Sequence, residues 1–377
     1  MLTFYTAGES HGRGVFAFLD GIPAGLKVDR EIIDSDLSRR QKGYGRGGRM
    51  AIEDDRLDVL SGVRGGLTLG GPILLAVWNR DFENWKGYMD PWDISPGREL
   101  HTPRPGHADL AGAARFRQAD LRNVLERSSA RETAGRVAAG GLLRCLLDEL
   151  GVEIYSWVTR IGDVEFSGEY DRGLRDSSSV FCPDRDATAA MERLVDAAME
   201  QGDTLGGEFR VVLRGMPAGI GSYTQWDQRL DTLLAAQLMS IPGIKAVQTG
   251  IGTEAAELPG SLVHDEIFPG SPKRRNTNNA GGIEGGVSNG QPIEMRCSMK
   301  PIPTLKKGLR SVDIRTGAAV HAQYERSDCC AVPAASVVGE AAVIIAASQA
   351  VLLSFGLPAM AAVKEAFESH RAYWESL

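Results

Sequence analysis

The sequence predicts a mixed α/β (α+β) fold in which two sheet layers face each other around helices. Three observations carry that expectation. Strand-like and helix-like segments alternate along the whole chain. At 377 residues the chain exceeds what one hydrophobic core usually serves, which points to two domains or two halves of one large domain. Two landmark motifs also recur in the same order. Residues 19–25 read LDGIPAG where 213–219 read LRGMPAG, and 62–73 read GVRGGLTLGGPI where 282–293 read GIEGGVSNGQPI. The second pair matches at Gly62/Gly282, Gly65/Gly285, Gly66/Gly286, Gly70/Gly290, Pro72/Pro292 and Ile73/Ile293. A duplicated strand–helix–strand unit accounts for both. The expected organisation is a single domain over 1–377, with halves at roughly 1–150 and 200–377 joined by 151–199, and an insertion in the second copy around 250–275.

Taken in order, residues 14–20 (GVFAFLD) read as a strand and 21–25 as a turn. A helix follows over 29–40 with Asp29 as its cap, then a basic glycine-rich loop over 41–50. Strands are expected near 57–63 and 72–77, and an irregular stretch rich in Trp, Pro and charge over 79–106. Residues 109–150 turn helical, most clearly over 133–150, where Val137, Leu142, Leu143, Leu146, Leu147 and Leu150 share one side. Residues 152–168 alternate as a strand does; a helix at 186–201, a strand at 208–213, a helix at 226–241 and a strand at 292–299 come next. A long helix over 334–355 and a second helix after Pro358 close the chain.

Hydrophobic content of 43% and charged content of 24% are ordinary for a globular protein, and the net charge of −7 argues against a dedicated nucleic-acid binder. The five cysteines (Cys145, Cys182, Cys297, Cys329, Cys330) lack CxxC spacing, so free thiols in a reducing cytoplasm and no metal site are expected. The N-terminus lacks the basic-then-apolar order of a signal peptide. The most apolar run, 341–355, is interrupted by Ser348 and Gln349 and reads as a buried helix, not a membrane span. The expectation is a soluble, cytoplasmic protein.

The glycine-rich run 276–290 (NTNNAGGIEGGVSNG) offers bare backbone N–H groups to a flat or anionic ligand; a mobile linker is the plainer reading of its composition. Its repeat partner keeps the glycines without the asparagines, so scaffold explains the glycines but not the polar side chains. Arg39, Arg40, Lys42, Arg46 and Arg49 fall within eleven residues, with Gly43, Gly45, Gly47 and Gly48 between them. Guanidinium forks grip oxyanions two oxygens at a time, so in an acidic chain this is either a small-polyanion site or a solvated basic loop. His11 (in GESHG) and His107 (in RPGHAD) are presented by glycine-flanked loops. In 127–133 (RSSARET), Ser128 or Ser129 can cap a helix whose N–H groups favour a phosphate. Residues 300–304 (KPIPT) form a proline-stiffened strand end, and 326–333 (RSDCCAVP) offer Arg326 and Asp328 before the last long helix. No GxGxxG after a strand, Walker loop or GxSxG elbow is present. The residues alone therefore give an α/β protein with a small anionic ligand and room for a phosphate-bearing cofactor.

Together GESHG, RRQKGYGRGGRM, RPGHADLAGA, RSSARETA, NNAGGIEGGVSNGQPI, KPIPT and RSDCCAVP, spread over residues 8–333, resemble the chorismate synthase family in content and order. The resemblance implies that family's β-α-β sandwich, a homotetramer, and trans-1,4 elimination of phosphate from 5-enolpyruvylshikimate 3-phosphate to give chorismate. Reduced FMN would be required without net redox change. His107 would be the general acid for the departing phosphate, His11 an imidazolium beside the flavin, and Asp328 the acceptor of the N5 proton. Arg40, Arg46, Arg49, Arg104 and Arg131 would hold the substrate's anionic groups. FMN contacts would fall at Arg127, Ser128, Ser129, Pro242, Gly243, Gly285, Lys300, Pro301, Ile302, Pro303, Thr304 and Arg326, and Arg40 and Arg46 also match positions given to NADPH in members that reduce their own flavin. The chain departs from the family pattern at Pro242-Gly243 (commonly Asn-Ala), Ser327 (His), Cys329 (Pro) and Ala334 (Arg). A flavin-dependent oxidoreductase and a non-catalytic anion-binding protein are the alternatives.

Overall fold

The computed structural model describes residues 2–47, 52–325 and 327–377, so Arg49 and Arg326 lie outside the described residues. In chain order the main elements are β1 (Thr3–Gly8), β2 (Gly14–Asp20), α1 (Arg30–Gln41), β3 (Asp58–Ser61), β4 (Ile73–Trp78), α2 (Asp109–Phe116), α3 (Arg122–Ser128), α4 (Thr133–Glu149), β5 (Glu153–Ile161), α5 (Arg185–Glu200), β6 (Gly207–Arg214), α6 (Leu230–Met239), β7 (Ile244–Thr249), β8 (Ile293–Met299), α7 (Val332–Phe355) and α8 (Met360–Ser376). The first sheet has the order β1-β2-β4-β3 and the second the order β5-β6-β8-β7, with the two-residue strand Val164–Glu165 beyond β5. Pairing is antiparallel throughout both.

The duplication is written into the register. Leu19 pairs with Ile73 in the first sheet, and their repeat partners Leu213 and Ile293 pair in the second. Each copy also carries a small hairpin: Val63–Arg64 with Leu67–Thr68, and Ile283–Glu284 with Val287–Ser288. Gly65 and Gly285 turn these hairpins at φ +60° in both copies, a left-handed conformation that explains why glycine recurs there.

Several expectations need correction. The segment 151–199 is more than a joint, because it supplies β5, which pairs along β6. Strands β1 and β7 carry no clear period-2 pattern, and their sheet partners decide them. β5 does not alternate in burial: helices cover one face, while Tyr155 and Trp157 pack with Tyr170 on the other. The helical stretch 109–150 is divided by Arg117 at φ +53° and by a 3-10 turn at Ala130–Glu132. Residues 226–241 begin with a 3-10 turn, and the α-helix starts only at Leu230.

Helix α4 lies on the first sheet and α7 on the second, and the two helices pack on each other between the sheets. Their approach requires Gly140, where a Cβ would come 2.7 Å from Ala341 Cα. Helix α7 is long and apolar enough to cross a membrane by length and composition, yet 89% of its apolar window is buried within the fold.

One charge sits on that buried helix. Glu340, 1% exposed, accepts hydrogen bonds from Arg39 (2.6 and 2.9 Å), Arg144 Nη2 (2.7 Å) and Ser156 Oγ (2.7 Å). Arg144 also donates to Asp36 at 2.9 Å. Burial opposes the Glu340 charge, but the two guanidinium groups outweigh it and hold the carboxyl well below the usual range. Glu340→Ala would leave Arg39 and Arg144 without this partner in the core, so urea titration should show a loss of about 3–5 kcal/mol. The stabilisation from a depressed carboxyl is complete above its unfolded pKa of about 4.3 and is lost as pH falls through the folded value. The acid-induced fall in stability below that pH should be shallower in Glu340→Gln than in the parent.

Candidate active site

A cavity of about 1110 Å³ opens where the loops of both halves meet. The first half contributes the His11 loop, the end of α1, the stretch 97–108 and the entry to α4; the second contributes Ile241–Gly243, the KPIPT strand end and the approach to α7.

The basic wall is built from paired charges. Arg40, at the C-terminal end of α1, donates to Asp55 Oδ2 at 2.6 Å, and Arg131 donates to Asp55 Oδ1 at 2.5 Å. Burial works against the Asp55 charge, yet Arg40 and Arg131 keep its carboxyl below the usual range. Burial lowers the Arg40 pKa. Arg131 Nε donates to Asn79 Oδ1 at 2.8 Å, and Asn79 Nδ2 in turn ties down the carbonyls of Glu9, Ser10 and Gly12 beside His11. Arg131 Nη2 also faces Glu53 Oε2 at 3.7 Å, and among the described residues Arg40 Nε is buried without a hydrogen-bond acceptor.

His107 stands against Asp109 at the start of α2, with Nδ1 2.6 Å from Oδ1. Arg104 clamps the same carboxylate through Nε at 2.8 Å and Nη2 at 3.0 Å, and reaches Thr304 Oγ1 at 3.1 Å. Burial opposes the Asp109 charge, but the His107 and Arg104 hydrogen bonds prevail and its carboxyl is well below the usual range. An ionised acceptor at Nδ1 places the ring proton there and leaves Nε2 as the proton-exchanging nitrogen. Arg104 Nη2 is also 3.0 Å from Nδ1, and the shorter contact to the carboxylate decides the tautomer.

His11 holds Glu126 through its backbone N–H (2.7 Å) and Nδ1 (2.8 Å), and stacks on Trp85 with ring centroids 4.0 Å apart. Arg46 pairs with Asp328 at 2.7 Å, and the Gly47 N–H donates to Asp328 Oδ1 at 2.6 Å. Lys300 donates to the Gly106 carbonyl at 2.8 Å, and burial, with a contribution from Lys245, lowers its pKa. Ser10 Oγ donates to Ser129 Oγ at 3.1 Å. Pro242–Gly243 fits its backbone: Gly243 has φ +92°, and its carbonyl accepts from the Lys300 N–H at 2.9 Å. A side chain at Gly243 would meet Met299 Cε at 2.9 Å.

The cavity therefore gathers His11, His107, Asp328, Arg40, Arg46, Arg104, Arg131, Ser128, Ser129, Pro242, Gly243, Lys300, Pro301, Ile302, Pro303 and Thr304. Two expected contacts lie elsewhere. Gly285 sits at the tip of its hairpin in open space, and Arg127 donates to the Thr6 carbonyl and hydroxyl away from the cavity lining. The sequence reading missed Trp85, Tyr88, Arg98, Arg122 and Glu126. Arg98 lies over Trp85 and Tyr88 at 4.3 and 5.0 Å from the ring centroids, and Arg122 lies 5.2 Å from that of Trp85. The density of Trp, Tyr and Arg over 79–106 was the available signal for Trp85, Tyr88 and Arg98, while Arg122 and Glu126 carried none.

Because Asp328 holds the basic loop by two charge-assisted bonds, Asp328→Ala should free it. Hydrogen exchange at the Gly47 amide should quicken about tenfold or more, the equivalent of losing one bond of about 1.5–3 kcal/mol to a charged acceptor.

A family model described as chorismate synthase matches residues 2–352. The chain is 52% identical to the chorismate synthase of Desulforudis audaxviator, covering 100% of this chain and 98% of the relative. It is 52% identical to that of Carboxydothermus hydrogenoformans, over 94% of each. A solved structure titled "Crystal Structure of Chorismate Synthase" superimposes with a TM-score of 0.81 at 39% identity, covering 100% of this chain and 99% of that one.

Proposed function

The chain belongs to the chorismate synthase family, and on that premise we propose that its cavity carries out trans-1,4 elimination of phosphate from 5-enolpyruvylshikimate 3-phosphate with reduced FMN. The activity is that of a carbon–oxygen lyase of the shikimate pathway, which leads to the aromatic amino acids. The observation that carries the mechanistic reading is His107, oriented by Asp109 and set beside Arg104 in a wall of arginines.

A substrate with one phosphate and two carboxylates suits this wall. Arg40, Arg46, Arg104 and Arg131 grip the anionic groups, with Arg49 as a further expected contact outside the described residues. His107 gives its Nε2 proton to the departing phosphate. At about 1110 Å³ the cavity has room for a flavin together with a substrate of this size. FMN would lie against Ser128, Ser129, Pro242, Gly243 and Lys300–Thr304, and supply electron density to the reacting carbon skeleton without net redox change. His11 offers positive charge beside the flavin, and Asp328, next to Arg46, receives a proton. Arg40 and Arg46 are also the residues proposed for NADPH.

A homotetramer is part of the proposal. Tyr5, Phe18, Leu60 and Trp78 are at least 36% exposed on the first sheet, an apolar surface suited to a second copy. A cytoplasmic location accords with the five free, buried cysteines.

Purified protein given chemically reduced FMN and substrate without oxygen should release phosphate and chorismate in equal amounts, with no stoichiometric use of reductant. Folded protein that fails to turn over sinks the reading. His107→Ala should lower turnover at least about a hundredfold with FMN binding little changed. Adding NADPH and oxidised FMN with no other protein tests whether the enzyme reduces its own flavin; chorismate formation would establish it.

A further inference from the structure

We propose that Glu126 is the positioning residue for His11, holding the ring through Nδ1 and so fixing the orientation of the imidazole in the cavity wall. The proposal rests on the reading of His11 as the charged group beside the flavin.

Glu126 lies on α3, 115 residues from His11 in sequence and 4% exposed. Three of its oxygen atoms face the His11 loop. Oε2 accepts the His11 backbone N–H at 2.7 Å, Oε1 faces Nδ1 at 2.8 Å, and the Glu126 carbonyl accepts the Ser10 N–H at 2.9 Å. An ionised carboxylate only accepts, so the nitrogen facing it must carry the proton. The Trp85 indole stacks on the imidazole with an interplanar angle of 29°, which fixes the ring plane. The Nδ1 edge and one face of the ring are then both constrained.

The charged groups around this pair complete the arrangement. Arg122, one helical turn before Glu126, stands 3.6 Å from Oε1 and counters its charge, while itself pairing with Glu325 at 3.2 Å. Arg98 lies over the same indole that covers His11. Without Glu126 the charged ring could turn about its side-chain bonds, and the neutral ring could also exchange tautomers, so the orientation of the imidazole would no longer be fixed.

The test is a double-mutant cycle on full-length protein, with a spectroscopic readout that needs no turnover. Glu126→Met removes both acceptors at nearly constant volume; Glu126→Gln, which keeps one, serves if the first does not fold. In otherwise intact protein either change should lower chorismate formation about ten- to a hundredfold, the usual effect of losing an orienting partner, with FMN affinity little changed. In a His11→Ala background the same change should cost nothing further. Equal losses in both backgrounds, or no loss in the first, would overturn the proposal. Nitrogen-15 NMR of His11 without flavin should place the neutral-form proton on Nδ1 in the parent and shift it toward Nε2 in Glu126→Met; an unchanged tautomer also overturns it. If His11→Ala turns over normally, the catalytic reading of His11 fails, while the NMR result still decides whether Glu126 sets the tautomer.

Discussion

The carboxylate of Glu340 is the constraint on which the rest of the architecture depends. It is a charge in the middle of the most apolar helix, so it is tolerated only if cations reach it from outside that helix. Arg39 on α1 and Arg144 on α4 do so, and Ser156 on β5 completes the shell. Two partners belong to the first half of the chain, and the carboxylate and the serine to the second. The halves are thereby fastened in one relative position. A well-packed apolar core of similar volume would stabilise at least as much, and the carboxylate adds bonds to three separate elements.

That position matters because the cavity begins one residue further on. Arg39 turns into the core toward Glu340, and its neighbour Arg40 turns into the cavity wall toward Asp55. Fastening α1 against α7 therefore also sets the distance between the Arg40 wall and the segment preceding α7, where Asp328 meets Arg46. The same device recurs around the cavity. Arg40 and Arg131 share Asp55, Arg104 and His107 share Asp109, and His11 has Glu126. Each cation is held by an acid before any ligand arrives. This weakens the net positive field but fixes the direction of each donor, which is what recognition and proton transfer at a defined atom require.

The internal duplication explains why so little new backbone was needed. Both copies have the same strand order and the same glycine hairpins, yet they contribute unequally to the cavity. The arginines that grip anions come mainly from the first copy, and the KPIPT strand end and the Pro242–Gly243 turn from the second. Gly285 shares its φ with Gly65, its repeat partner, and turns the corresponding hairpin of the second copy.

What the sequence determined by itself is everything governed by short range. Strand β2, the Asp29 cap of α1, the glycines that need positive φ, and the helix patterns of α4, α5 and α7 follow from neighbours within a few residues. The candidate site residues were legible chiefly through the resemblance of their motifs to the chorismate synthase family, since composition alone left the basic loop open between a polyanion site and a solvated surface. Only the tertiary structure decided which acid meets which base. Asp55, Asp109, Glu126 and Glu340 look like ordinary acidic residues in sequence. Arg131 finds Asp55 across 76 residues, and Arg39 finds Glu340 across 301. Such pairings depend on how separate elements pack, and on burial that makes an unpaired charge costly, so no local pattern can announce them.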